Sequence, residues 1–99
     1  MMDPAVFQYM QAIKVLVEGK VQGVYFRVSA AKKAASLGLA GWVRNLDNGN
    51  VELLIQGPSS ELEQLLVWCE KGPVLAKVVN VYHEKAEFDD NIVSFTVLK

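Results

Sequence analysis

Asn48-Gly49 stands between two short β-forming runs, Gly41 to Asp47 and Asn50 to Gln56, and this arrangement constrains the chain more than any other feature of it. An Asn-Gly pair readily takes the positive φ angles of a two-residue type I′ turn, so the two runs fold back on each other as antiparallel neighbours. With a two-residue turn, strict alternation puts Trp42, Arg44 and Leu46 on the face of Val51, Leu53 and Ile55. That places an arginine near a core, and a longer turn would shift the register.

The flanks of this hairpin repeat one theme. From Ala12 to Lys20, Ile13, Val15 and Val17 alternate with Lys14, Leu16 and Glu18, the period of a half-buried strand. Phe26, Ala30, Ala34 and Leu37 then recur at helical spacing, and Gly38-Leu39 supplies a C-terminal stop. Beyond Gly57-Pro58, Ser60 and Glu63 have the spacing of a capping box. Leu62, Leu65, Leu66 and Cys69 form an apolar stripe that Gly72-Pro73 ends. Val74 to Lys85 is again β-rich, and Ile92 to Leu98 extends the sheet after the polar turn Asp89-Asp90-Asn91. The order βαββαβ plus a terminal strand predicts an α+β, ferredoxin-like α/β sandwich, with two helices on one face of a mainly antiparallel sheet. Ninety-nine residues with 52% apolar content suffice for one such domain, assigned to residues 12–99. Residues 1–11, with Phe7, Tyr9 and three methionines, are expected to be a loosely held N-terminal extension.

Charge and cysteine usage narrow the chemistry. A net charge of −1 and a pI near 5.7 provide no broad basic field, so a nucleic-acid partner is not expected and any anion must be recognised locally. One cysteine, Cys69, cannot form an internal disulfide, and with the one histidine, His83, it cannot build the usual structural zinc cluster. A reducing cytoplasm is the expected location. Neither a signal peptide nor a run of ~18 apolar residues is visible, so no membrane association is expected.

Local anion recognition has an obvious place. In Glu18-Gly19-Lys20-Val21-Gln22-Gly23-Val24-Tyr25-Phe26-Arg27, a strand passes through a glycine-punctuated loop to an arginine where a helix begins. Backbone N–H groups at a helix N-terminus attract phosphate, and a guanidinium grips two oxygens at once. The Gly-Lys-Ser/Thr of a nucleotide-binding loop is missing, and the position six residues before the arginine is Val21, which cannot serve as a cysteine nucleophile would. With no serine-histidine or cysteine-histidine constellation near the loop, direct attack by water remains.

Gly19 to Arg27, then Gly38-Leu39, Gly41-Trp42-Val43-Arg44-Asn45, Val51-Glu52, Gln56-Gly57 and Gly72-Pro73 resemble, in order and spacing, the acylphosphatase family over roughly Ile13 to Val81. Tyr25 stands where glycine is frequent in that family. The resemblance implies hydrolysis of a small-molecule acyl phosphate to carboxylate and inorganic phosphate without metal or cofactor, phosphate being both product and inhibitor. It implies a phosphate loop of Gly19, Lys20, Val21, Gln22, Gly23, Val24, Tyr25, Phe26 and Arg27, with Arg27 binding the phosphoryl group and Asn45 positioning the attacking water. The expected acting unit is a monomer.

Each of these residues also has a plainer use. An arginine at a helix start is commonly a surface ion-pair partner, an asparagine near a hairpin commonly serves the turn, and loop glycines commonly just permit one. His83 reads as an ordinary strand residue, Cys69 as a small core hydrophobe, and Trp42 and Trp68 as core or core-edge anchors. Two other functions suit the same topology. One is a non-enzymatic module that binds small anions or proteins, which turnover of an acyl phosphate would exclude. The other is an RNA-recognition module, against which stand the charge and the missing glycine-aromatic strand motif.

Overall fold

The computed structural model describes residues 10–99. Alternation from Met10 to Lys20 forms β1, the alanine-rich segment Phe26–Ser36 forms α1, and the mid-chain hairpin is β2 (Ala40–Asn45) and β3 (Val51–Pro58). The leucine stripe lies on α2 (Ser59–Lys71), and β4 (Lys77–Ala86) and β5 (Phe95–Val97) complete the sheet. β1 takes in Met10 and Gln11 from the expected extension, pairing them with Pro58 and Gly57 of β3. The rest of that expected extension, 1–9, lies outside the described residues.

Strand order across the sheet is β4-β1-β3-β2-β5. All neighbours run antiparallel except β2 and β5, which are parallel. Both helices cover one face, giving the ferredoxin-like α+β arrangement with one added edge strand. Leu53 marks the centre of the core, with Val15 opposite it on β1 and Val43 opposite it on β2, all fully buried. Phe26, Ala30 and Ala34 of α1 and Leu62, Leu65 and Cys69 of α2 close over them, as their helical spacing predicts.

The hairpin corrects the two-residue turn. Leu46 N–H donates to Asn50 O at 2.9 Å and Gly49 N–H to Leu46 O at 3.2 Å, so three residues form the loop, with Gly49 at φ 93°. This moves the register by one: Val43 pairs with Leu53, Arg44 with Glu52 and Asn45 with Val51. The extra loop residue turns Arg44 to the open face, where it bonds Glu52 at 2.6 Å and lies 5.1 Å over the Trp42 ring. Val43 takes the core position and Asn45 follows it two residues on, on the helix side.

Helix ends follow local chemistry. Leu39 N–H donates to Ala34 O at 2.9 Å and Gly38 N–H to Ala35 O at 3.1 Å, a Schellman closure that requires the left-handed Gly38. The expected capping box on α2 does not form. Pro58, with its ring-fixed φ of −61°, is the N-cap, so Ser60 already lies inside the first turn and bonds Glu61 instead. Ala76 N–H donates to Pro73 O in a turn, so the strand expected from Val74 begins at Lys77, and β5 is shorter than the expected run from Ile92 to Leu98.

Candidate active site

The loop from β1 to α1 owes its shape to a few backbone positions. β1 is irregular between Glu18 and Gly19, and a Cβ on Gly19 would run into the Lys77 carbonyl of β4, so only glycine allows this close, shifted pairing just before the loop. Gly23 and Tyr25 both take positive φ, 72° and 64°, and curl the chain into the start of α1. For Tyr25 that conformation costs about 1–2 kcal/mol, since it has a Cβ. Phe26 then anchors the first turn: it is buried, its ring centroid lies 5.3 Å from that of Trp68, and burial of such a ring contributes about 1.5–3 kcal/mol.

The result is an unsatisfied helix start. Ser29 N–H, bonded to Tyr25 O at 3.0 Å, makes the first bond of α1, which leaves the amides of Phe26, Arg27 and Val28 ahead of it without intrahelical acceptors. Tyr25 supplies no side-chain cap, and the first turn carries no acidic residue to occupy or repel an anion there.

A hollow of about 300 Å³ opens at this point, lined by Val21, Gly23, Tyr25, Phe26, Arg27, Val28 and Asn45. Arg27 and Asn45, eighteen positions apart in sequence, thus share one site with the loop. Arg27 is half-buried and spends one donor on the chain terminus, Nη1 to Leu98 O at 2.7 Å. Leu98 N–H in turn donates to Val43 O at 2.8 Å, so the residue that follows β5 links α1 to β2. A guanidinium has five N–H donors, and the others remain for a ligand. Asn45 Oδ1 is buried and meets no donor among the described residues. Such an acceptor costs about 1–3 kcal/mol, a cost that a bound water or ligand donor would remove.

The remaining loop residues do other things. Gly19 and Lys20 belong to β1, Lys20 being exposed opposite Lys77, and neither lines the hollow. Val24 is buried in the core. Gln22 turns its amide to the hairpin, Nε2 donating to Leu46 O at 2.7 Å and to Asn50 O at 2.8 Å. This clasp holds the segment that carries Asn45 against the loop. Gln56, 2% exposed, does the same for the return to β5: its Nε2 donates to Asp89 O and Ile92 O at 2.7 and 3.0 Å, and its Oε1 accepts from Asp89 N–H at 3.1 Å. Neither clasp nor the Leu98 carbonyl has a sequence signal, because each depends on which carbonyls the fold brings within reach.

Cys69 does not line this hollow. It is buried on α2, and desolvation, with Glu70 adding to it, pushes its thiol up from 9.0 to about 12. A thiol held neutral in a core is no nucleophile. His83 is exposed on β4, opposite Val15 of β1, and does not line the hollow.

An arginine and open amides at a helix start, on a ferredoxin-like sandwich, give the hollow the kind of donors that oxyanions accept from. The acylphosphatase family model matches residues 13–97, and the chain belongs to that family. It is similar to an acylphosphatase of Methylococcus capsulatus, 46% identical over 90 residues that span 91% of this chain and 98% of the relative. Among solved structures, an acylphosphatase from Coxiella burnetii matches with a TM-score of 0.90 at 41% identity, over 97% of this chain and 100% of its own. One from Bacillus subtilis matches with a TM-score of 0.85 at 30% identity, over 91% and 99%. The activity is therefore that of a hydrolase acting on acyl phosphates. No helix among the described residues is long and apolar enough to cross a membrane.

Proposed function

We propose that the phosphoryl group of the acyl phosphate binds to the amides of the 21–28 segment and to Arg27, while Asn45 holds the attacking water. The observation that carries this reading is the buried, unpartnered Asn45 Oδ1 in the same hollow as Arg27 and the open helix start. Water forms the new bond to phosphorus as the bond from phosphorus to the acyl oxygen breaks, and the carboxylate leaves with the electron pair. Carboxylate is a good leaving group, so alignment and charge neutralisation suffice. Asparagine has no basic nitrogen at neutral pH, but its carbonyl accepts from water and its amide donates, which directs a lone pair at phosphorus. The water's proton passes to a phosphate oxygen.

Arg27 and the amides meet the charge that spreads over the phosphoryl oxygens, and among the described residues no carboxylate lines the hollow. The mechanism so written uses neither metal nor cofactor. One chain supplies every group, so a monomer is sufficient, and inorganic phosphate, as product, competes for the same donors. The test is inhibition by inorganic phosphate in wild type and Arg27→Ala. Competitive inhibition that weakens at least tenfold in the variant is expected. Undiminished inhibition would remove the arginine from the site. Activity is also expected to survive exhaustive chelation, and its loss with recovery on a divalent ion would overturn the metal-independent route.

A further inference from the structure

Tyr25 occupies a place where the backbone disfavours a side chain. It is the one non-glycine residue with positive φ among the described residues, and its side chain is 74% exposed, so core packing does not explain its presence. Strain kept at the rim of a binding hollow is commonly strain that serves the ligand. Tyr25 lines the same hollow as Arg27 and Asn45, and Val28, half exposed on the first turn of α1, lines it too. The polar groups there are accounted for by phosphoryl and water. What is left for the rest of a ligand is an aromatic face and a branched aliphatic side chain.

An acyl phosphate differs from inorganic phosphate by its acyl group, one bridging oxygen away from phosphorus. The acyl carbonyl and its substituent must therefore lie at the mouth of the hollow once the phosphoryl group is seated. We infer that Tyr25 and Val28 form an acyl subsite that favours flat, apolar acyl groups, aromatic ones above all, over a small one such as acetyl; this rests on the phosphoryl placement above. A flat aromatic acyl group stacks on or against the edge of the tyrosine ring and buries apolar surface against Val28, whereas a methyl group gains little from either.

The experiment compares kcat/KM for benzoyl phosphate and acetyl phosphate in wild type, Tyr25→Phe and Tyr25→Gly, with inorganic phosphate inhibition of the wild type run beside them. Glycine accepts the left-handed backbone and the lost ring is largely exposed, so the Tyr25→Gly variant folds, which circular dichroism checks. Expected is a benzoyl-to-acetyl ratio that falls about three- to tenfold in Tyr25→Gly and is kept in Tyr25→Phe. An unchanged ratio in Tyr25→Gly overturns the subsite while leaving the phosphoryl placement intact. Inorganic phosphate that fails to compete with acyl phosphate in wild type overturns the placement and the subsite together.

Discussion

At the level of single residues, Asn45 separates function from stability most cleanly. Its buried Oδ1 has no donor among the described residues, so the side chain is kept at a cost to the fold. Asn45→Ala is expected to lower kcat by about 10²-fold or more with phosphate inhibition little changed, since water positioning acts mainly at the transition state. Removing the orphaned acceptor should at the same time leave the melting temperature unchanged or raise it. A steep loss of stability would mean that Asn45 serves the hairpin. Asn45→Asp sharpens the test: a carboxylate of the same size repels the bound phosphate and lacks the amide donor, so activity stays low at neutral pH. Activity equal to wild type would make this position a general base. At Arg27, lysine should rescue only part of the loss in the alanine variant, because an ammonium carries the charge without the planar fork. Lysine must also keep the Leu98 carbonyl satisfied with fewer donors.

At the level of elements, what the sequence disclosed was periodic and what it hid was relational. Val15 and Val17 on β1, Ala30 and Ala34 on α1, and Leu62, Leu65 and Cys69 on α2 are buried as their spacing predicts, because each period is fixed within one element. The hairpin register stays open in the sequence, since Asn-Gly suits both a two-residue turn and the three-residue loop found, and the choice depends on whether Val43 or Arg44 can be buried. The pairing of Arg27 with Asn45 is what the acylphosphatase resemblance implies, whereas the clasp by Gln22 has no such source, because its acceptors are main-chain carbonyls 24 and 28 residues away. That clasp yields a prediction. Gln22→Glu replaces a donor to two carbonyls with an acceptor that repels both, so the hairpin shifts and carries Asn45 with it. A fall in kcat of about tenfold or more with a smaller change in phosphate inhibition is expected, in line with the sensitivity of catalysis to small misplacements. Gln22→Lys restores a donor and should recover part of kcat. If phosphate inhibition fell in step with kcat, Gln22 would belong to anion binding instead.

At the level of the whole molecule, the site joins segments far apart in the chain, and its occupancy is therefore coupled to folding. The Leu98 carbonyl on Arg27 and the Gln56 clasp on the 89–92 segment tie the C-terminal return to α1 and β3. A ligand that binds only this assembled state stabilises it by about 2.7 kcal/mol at a hundredfold excess over its Kd. Inorganic phosphate should accordingly raise the wild-type melting temperature, and the rise should shrink in Arg27→Ala. A second linkage runs through the core. Cys69 is raised from 9.0 to about 12 in the folded state, first by desolvation and then by Glu70. Above pH 9 the unfolded chain releases the thiol proton while the folded chain keeps it, so the unfolded state binds fewer protons and stability falls as pH rises. The contribution is complete below pH 9 and is lost progressively as the pH climbs toward about 12. Urea midpoints measured across that range should decline more steeply for wild type than for Cys69→Ala, whatever the lysines and tyrosines common to both proteins contribute. Equal slopes would show that the buried thiol ionises as readily in the fold as outside it. The native protein should also resist thiol reagents at neutral pH until it unfolds, and its turnover should not change while they are present.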